Sequence, residues 1–416
     1  MPAPFPALRR AGYEVAGAGK MHFIGLDQLH GLGRRLTKDI YPSDFSWAMG
    51  REKLGELMQH PPEGKWKDFG VTAGPCDWSP QLEYDAEVQF RTLEFLRAHR
   101  GEAPRPFCLF MSYSHPHPPY LAPQKYWDWY EDVEIDLPTI PENLDALRSP
   151  MDRWLHYFEG IPDEALREPD ILRRLRRAYY AMVSYVDAQV GELFDTLDDM
   201  GMREQTAVLF MADHGDQLGE RMLLEKLNFY EASARIPLIG RFPGHWPGGG
   251  VHGEPVSLID IFPTLCEIAG APVPPGVEGR SFCDLLEGRP STSPERLAIL
   301  RESRRLRTGV VFHGTQGGVQ IHLPPRTWPT ALRLAYRPAG RAQSGRAARA
   351  CGYRSGVAPG VSVTLRLRYD RRGGATRPAG ADLPARGNAT RQPYELELSA
   401  VLRSEHGMVA VTAPHE

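Results

Sequence analysis

Four short stretches carry side chains able to handle an anion and a proton. In AGKMHFIG (18–25) a cation, Lys20, and a titratable ring, His22, lie two residues apart between Gly19 and Gly25. In SHPHPPY (114–120) prolines separate His115 from His117, which holds at least one imidazole out from its element, fit to donate a proton to a leaving oxygen. ADHGDQLGE (212–220) offers Asp213, His214 and Asp216 around Gly215, and such a set of oxygen and imidazole groups suits a divalent cation, with hard carboxylate favouring calcium or magnesium. Lys226, in EKLNFYEASARIPLIGRFPG (225–244), follows about ten residues later, within reach of an anion held by that cation. Each stretch also has an ordinary reading: a common K-x-H pair, two surface histidines in a Pro-rich turn, an Asp-Gly turn that caps a helix, a solvated lysine. Order and chemistry taken together carry more weight than any one of them.

These groups need elements to position them. PFCLFMSYS (106–114) and TAVLFMAD (206–213) are short apolar runs bounded by turn residues and predict buried strands. Between them, residues 171–202 keep a helical period through Leu172, Leu175, Tyr179, Met182, Val186, Val190, Leu193 and Leu197, until Gly201 ends it. EYDAEVQFRTLEFLRAH (83–99) and SLIDIFPTLCEIAG (257–270) predict two further amphipathic helices. Strands set singly between helices imply an α/β fold, with a mostly parallel sheet covered on both faces and its sites at the carboxyl ends of the strands. The polar clusters follow directly after the apolar runs, as that fold class requires.

Composition sets the bounds. A chain of 416 residues that is 42% hydrophobic can bury a large core, and a net charge of -3 favours neither a nucleic-acid nor a membrane partner. The five cysteines form no C-x-x-C pair, and the opening MPAPFPALRR has no apolar signal region, so a cytoplasmic location is expected. Charge is unevenly placed. Residues 301–416 carry 19 Arg, no Lys and 7 acidic residues, whereas the part before them is strongly acidic. This Arg-, Gly-, Pro- and Ala-rich tail lacks a sustained period of 2 or 3.6 and reads as irregular, so the expected division is a core over 1–295 and a poorly structured tail over 300–416.

"GYEVAGAGKMHFIG", "SHPHPPY", "MADHGDQLGE" and "EKLNFYEASARIPLI" resemble, in order and spacing, the formylglycine-dependent sulfatases of the alkaline-phosphatase superfamily. The extended "GKMHFIGLDQLHG…RLTKDIYPSDFSW" looks most like the choline-sulfatase branch. The resemblance covers roughly residues 8–290 and implies an alkaline-phosphatase-like sandwich. It also implies roles: Asp213 and His214 as two ligands of one calcium ion, Lys20 and Lys226 holding the sulfate, His22 as the base that helps break down the sulfated intermediate, and His117 beside the leaving oxygen.

Two family features are missing from the sequence. Members begin with a strand that carries further carboxylate ligands, followed by C-x-P-S-R, whose cysteine becomes the formylglycine nucleophile. Cys76 and Cys351 do not fit that pattern, and Cys108 and Cys266 sit in apolar segments. The early position of AGKMHFIG therefore implies that about the first hundred residues of a family member, with the first strand, are absent, and that this chain does not turn over sulfate esters. Members also end with a stretch like KYIY…LYDLxxDPxExxNLA. Residues 319–346, read one base later with allowed codons, give FKYIYPRELGRLLYDLHTDPQDEHNLA, so a frameshift near residue 300 is expected, and the Arg-rich tail is then not a nucleic-acid arm.

The expected function is a sulfuric ester hydrolase that splits a small-molecule sulfate monoester, choline sulfate being the foremost class, into alcohol and sulfate. YWDWY (126–130) could contribute to a cage for quaternary ammonium or could pack in the core. The alternatives are a phosphonate or phosphate ester hydrolase of the same superfamily, or a non-catalytic remnant that binds anions. Intact relatives leave room for a homo-oligomer.

Overall fold

A computed structural model of the chain describes residues 3–44, 71–99, 105–160, 162, 165–290, 298–303, 310–316, 319–323 and 408–412. The chain divides into two units, Met1–His322 with Leu402–Glu416, and Leu323–Val401, and the architecture below belongs to the first.

Its centre is a six-stranded sheet. In chain order the first strands are β1 (Glu14–Gly19), β2 (Arg34–Arg35), β3 (Gly74–Cys76), β4 (Phe107–Ser112), β5 (Leu121–Pro123), β6 (Thr206–Met211) and β7 (Leu238–Arg241). β8 (Ala298–Ser303), β9 (Val310–Gln316), β10 (Val319–Leu323) and β11 (Met408–Thr412) follow. The large sheet has the order β2-β1-β4-β11-β6-β7, β3 pairs with β5, and β8 to β10 form a separate three-stranded sheet. β1 runs parallel to both β2 and β4, with Glu14 opposite Phe107 and Gly19 opposite Ser112. β11 runs antiparallel to β4 and to β6, so β1, β2, β4 and β6 point the same way, and β7 closes the edge antiparallel to β6. Met408–Thr412 is thus a strand, although it lies in the tail that reads as irregular.

The strands bury both faces, as their near-continuous apolar character requires. Alternate side chains enter different layers. Ala16, Ala18, Phe107, Leu109, Met111 and Val208 pack against helices α2 (Pro80–Ala98) and α3 (Pro169–Asp199). Val15, Cys108 and Leu209 pack on the other side against α1 (Pro4–Arg10) and α4 (Ile261–Ile268). Two helical layers therefore sandwich the sheet. Cys108 and Cys266 are core residues of the second layer.

The helix boundaries have local causes. α2 starts three residues earlier than its apolar period suggests, because Ser79 accepts a hydrogen bond from Leu82 N and Pro80 takes the first turn. α3 buries Leu172, Leu175, Met182, Val186, Leu193 and Leu197, and the chain then turns at Gly201 with φ +66°. The segment expected as one helix over 257–270 is a 3-10 turn, Leu258–Asp260, followed by α4, since the Ser257–Asp260 capping box shapes the entry. No described helix is long and apolar enough to cross a membrane.

Candidate anion site at the strand ends

The carboxyl ends of β1, β4 and β6 lead into the three loops that carry the candidate residues. At β1 the crossing is tight: Gly19, at φ +98°, lies so near β4 that a β-carbon on it would stand 1.8 Å from the Ser112 carbonyl oxygen. Lys20 N then donates to that oxygen at 3.0 Å, which turns the lysine side chain into the interior, where it is 1% exposed. Residues 37–41 hold the loop from behind. Thr37 Oγ1 accepts from Gly19 N at 2.8 Å, and Asp39 Oδ2 accepts from Met21 N at 2.9 Å and from Arg35 at 3.0 Å. The Tyr41 ring stacks on His22 at 4.5 Å and lies 5.4 Å from Lys20 Nζ.

At β4 the loop carries His117, whose Nδ1–H donates to Pro118 O at 2.8 Å while Nε2 accepts from Lys226 Nζ at 2.5 Å. Lys226 also pairs with Glu225 at 3.3 Å. The His117 ring lies edge-on to His214 with centroids 6.2 Å apart. Beyond β6, Asp213 Oδ1 accepts from His214 N at 2.7 Å, and Gly215 N donates to Ser233 O at 2.7 Å, which ties this loop to the short helix Glu231–Ala234. A β-carbon at Gly215 would meet Ala232 O at 2.1 Å, so that position also needs glycine.

Lys20, His22, His117, Asp213, His214 and Lys226 thus come together from four segments. The field of the group appears in the acidities of Lys20 and His22. Burial, the foremost cause, together with the charge of Lys226, lowers the Lys20 amine to about 8, although Asp213 opposes the shift. Burial and then the charge of Lys20 lower His22 to about 4, so its imidazole is neutral at neutral pH. Asp216 is pushed up to about 6 by burial and then by Glu225, although the Tyr120 hydrogen bond and the charge of Lys226 oppose the shift. It accepts from Tyr120 OH at 2.8 and 3.0 Å and from Glu225 N at 3.0 Å.

The Lys20 shift has two opposite consequences. The unfolded chain keeps this proton up to the ordinary lysine value of 10.5, whereas the folded chain releases it near 8. Between those values the unfolded state binds more protons, so the contribution of Lys20 to stability rises with pH while the cation facing the site is lost. Calorimetric titration with inorganic sulfate is expected to show affinity falling as pH rises through about 8. Constant affinity up to pH 10 would remove Lys20 from the site.

Asp213 and His214 are two donors where calcium takes six to eight oxygens. Among the described residues no group of three or more His, Cys, Asp or Glu is arranged to hold a metal ion. Among the described residues Asp213 and His214 alone do not complete a calcium shell, and no chemical step is assigned to a metal in this chain. YWDWY packs against the protein's own groups: Tyr126 is buried, Arg177 lies over Trp127 at 4.2 Å, and Lys125 sits over Tyr126 and Trp129 at 5.1 and 6.0 Å. Tyr126 belongs to the core and Trp127 and Tyr130 pack partly against it, whereas Trp129 is 57% exposed. Sequence reading gave no role to Asp39, Tyr41, Tyr120 or Glu225. All four stand in quoted runs: Asp39 and Tyr41 in RLTKDIY, Tyr120 in SHPHPPY and Glu225 in EKLNFYEASARIPLI.

A layered α/β sandwich with cations, imidazoles and a carboxylate at the carboxyl ends of its central strands is an alkaline-phosphatase-like fold. The Sulfatase family model matches residues 5–271, and the chain belongs to that family. Over 305 residues it is 42% identical to the choline-sulfatase of Rhizobium meliloti (strain 1021), which spans 71% of this chain and 58% of that protein. It is 30% identical to an arylsulfatase of Clostridium perfringens (strain 13 / Type A) over 315 residues, 68% of this chain and 61% of the relative. The chain therefore spans about three-fifths of the length of these relatives. Among solved structures, the phosphonate monoester hydrolase of Agrobacterium radiobacter shares the fold, with TM-score 0.54 and 23% identity over 76% of this chain and 72% of that one.

Proposed function

We propose that this site is that of a sulfuric ester hydrolase acting on a small sulfate monoester of the choline sulfate class, and that the 416-residue chain binds sulfate there without turning the ester over. The observation that carries the reading is the Lys226–His117 contact beside the buried Lys20. Two ammonium groups in a water-poor setting balance the charge of a sulfuryl group. His117, which accepts from Lys226 at Nε2, can take a proton there and pass it to the leaving alkoxide oxygen. His22, neutral because it is buried, can serve as a base. The 42% identity to a choline-sulfatase supports the substrate class.

Asp213 and His214 are proposed as part of a calcium shell whose other ligands are not among the described residues. No C-x-P-S-R occurs in the sequence, so the chain carries no cysteine in the context that yields formylglycine. The proposed division is a sulfatase core over 1–295 and, over 300–416, a tail read from a shifted frame. The proposed setting is cytoplasmic, with a small-molecule ligand and homo-oligomers in intact relatives.

The test pairs calorimetry with turnover, using inorganic sulfate on one side and choline sulfate, 4-nitrophenyl sulfate and a phenyl phosphonate ester on the other, with calcium supplied. The expected result is saturable sulfate binding and no ester hydrolysis above background. Hydrolysis of a sulfate ester would refute the inactivity, hydrolysis of the phosphonate ester alone would favour the phosphonate reading, and absent sulfate binding would refute the site.

A further inference from the structure

α2 presents three polar side chains on a stripe that is otherwise core. Gln81, Asp85 and Gln89 recur at intervals of four, so they stack along one face of the helix, and they are 7%, 0% and 5% exposed. Buried polar groups are costly unless satisfied, and apart from Gln81 Oε1, which has no partner among the described residues, the polar atoms of these three bond largely to the segment that follows β4. Gln89 Oε1 accepts from Tyr113 OH, while its amide donates to Gln189 O at 3.1 Å and to Glu192 at 2.8 Å. Asp85 Oδ1 accepts from Ser114 N at 2.7 Å, and its Oδ2 accepts from His115 N at 3.0 Å and from His115 Nδ1 at 2.6 Å. Gln81 Nε2 donates to Ser114 Oγ at 3.3 Å, to His117 O at 3.1 Å and to Pro118 O at 3.0 Å.

We infer that Gln81, Asp85 and Gln89 form a positioning ladder that fixes the backbone of residues 113–118 and thereby sets where the His117 ring meets Lys226. The grips follow the loop in order: Gln89 takes Tyr113, Asp85 takes Ser114 and His115, and Gln81 takes Ser114 again and then the carbonyls of His117 and Pro118. Pro118 O is shared, since it also accepts from His117 Nδ1. Gln81 therefore touches the same oxygen that orients the imidazole. Removing either grip frees the loop to move as a unit, and a histidine held to one lysine at 2.5 Å cannot follow a shift of even half that length and keep the contact. His115, which sequence alone ranks with His117, is a member of this framework: it is 2% exposed, bonded to Asp85, and packed against the Tyr185 ring at 5.1 Å.

The inference rests on the reading of His117 as part of the anion site, and its test separates the two. The full chain, labelled with nitrogen-15 in its histidines, is compared with Asp85→Asn and Gln81→Glu. The His117 ring signals are assigned by their loss in His117→Asn. Asn at 85 replaces one accepting oxygen by an amide donor, which then opposes either Ser114 N or the two donors of His115, and Glu at 81 keeps the shape of glutamine but cannot donate to the two carbonyls. Both variants are expected to shift or broaden the His117 ring resonances and to weaken inorganic sulfate binding about tenfold. A merely structural role would lower the thermal midpoint and leave those resonances in place, and that result overturns the ladder. If Asp85→Asn does not fold, Gln81→Glu decides by the same criterion. Should sulfate leave the wild-type His117 signals unmoved while the variants shift them, the anion site falls and the ladder stands.

Discussion

Replacement of Gly19 by alanine is expected to destabilise the protein by about 3 kcal/mol or more, the largest effect of any single methyl added to the site. The cause is geometric. At φ +98° the residue is in a region that L side chains avoid, and the new carbon would sit 1.8 Å from the Ser112 carbonyl oxygen. That oxygen cannot simply move, since it accepts from Lys20 N, and Gly19 N in turn donates to Thr37 Oγ1. Relief requires β1 to separate from β4, which would also carry Lys20 away from Lys226 and His117. Denaturant melts should show a reduced midpoint with little change in slope. Wild-type stability in Gly19→Ala would mean that the two strand ends are not held at this distance.

Lys20→Met should act in the opposite sense on the two observables. The ammonium is 1% exposed and carries a desolvation cost large enough to bring its acidity to about 8. Methionine keeps most of the stem and removes the charge, so the variant should be as stable as the parent or more so. Sulfate binding should weaken by roughly 30- to 1,000-fold, corresponding to about 2–4 kcal/mol for loss of a buried charge partner. Calorimetry reads both quantities. A variant that melts earlier yet binds sulfate normally would make Lys20 a structural cation.

The strands and helices of the sandwich were legible because each has a single periodicity. The apolar runs at 106–114 and 206–213 became Phe107–Ser112 and Thr206–Met211, trimmed where polar residues begin. The helix over 171–202 became Pro169–Asp199. The three loops that bring Lys20, His117, Asp213 and Lys226 together could be found because their residue types are unusual after buried strands. Other parts were not visible. The ladder on α2 reads in sequence as Q-x-x-x-D-x-x-x-Q, a pattern that equally describes a solvated face, and only the position of the helix against β4 turns it inward. Nor does composition reveal that Met408–Thr412 pairs at the middle of the sheet, because a five-residue strand is held by backbone hydrogen bonds that ask little of its sequence.

That strand bears on how the molecule is assembled. Among the described strands, β4 and β6 meet only through β11, the last of them in chain order, so the halves β2-β1-β4 and β6-β7 each leave the ribosome with an open inner edge. Those edges are rows of unpaired amides and carbonyls through most of synthesis. During that interval any extended segment of suitable alternation, from this chain or from a neighbouring one, competes for the gap on equal backbone terms with β11, which itself lies in the tail proposed to come from a shifted frame.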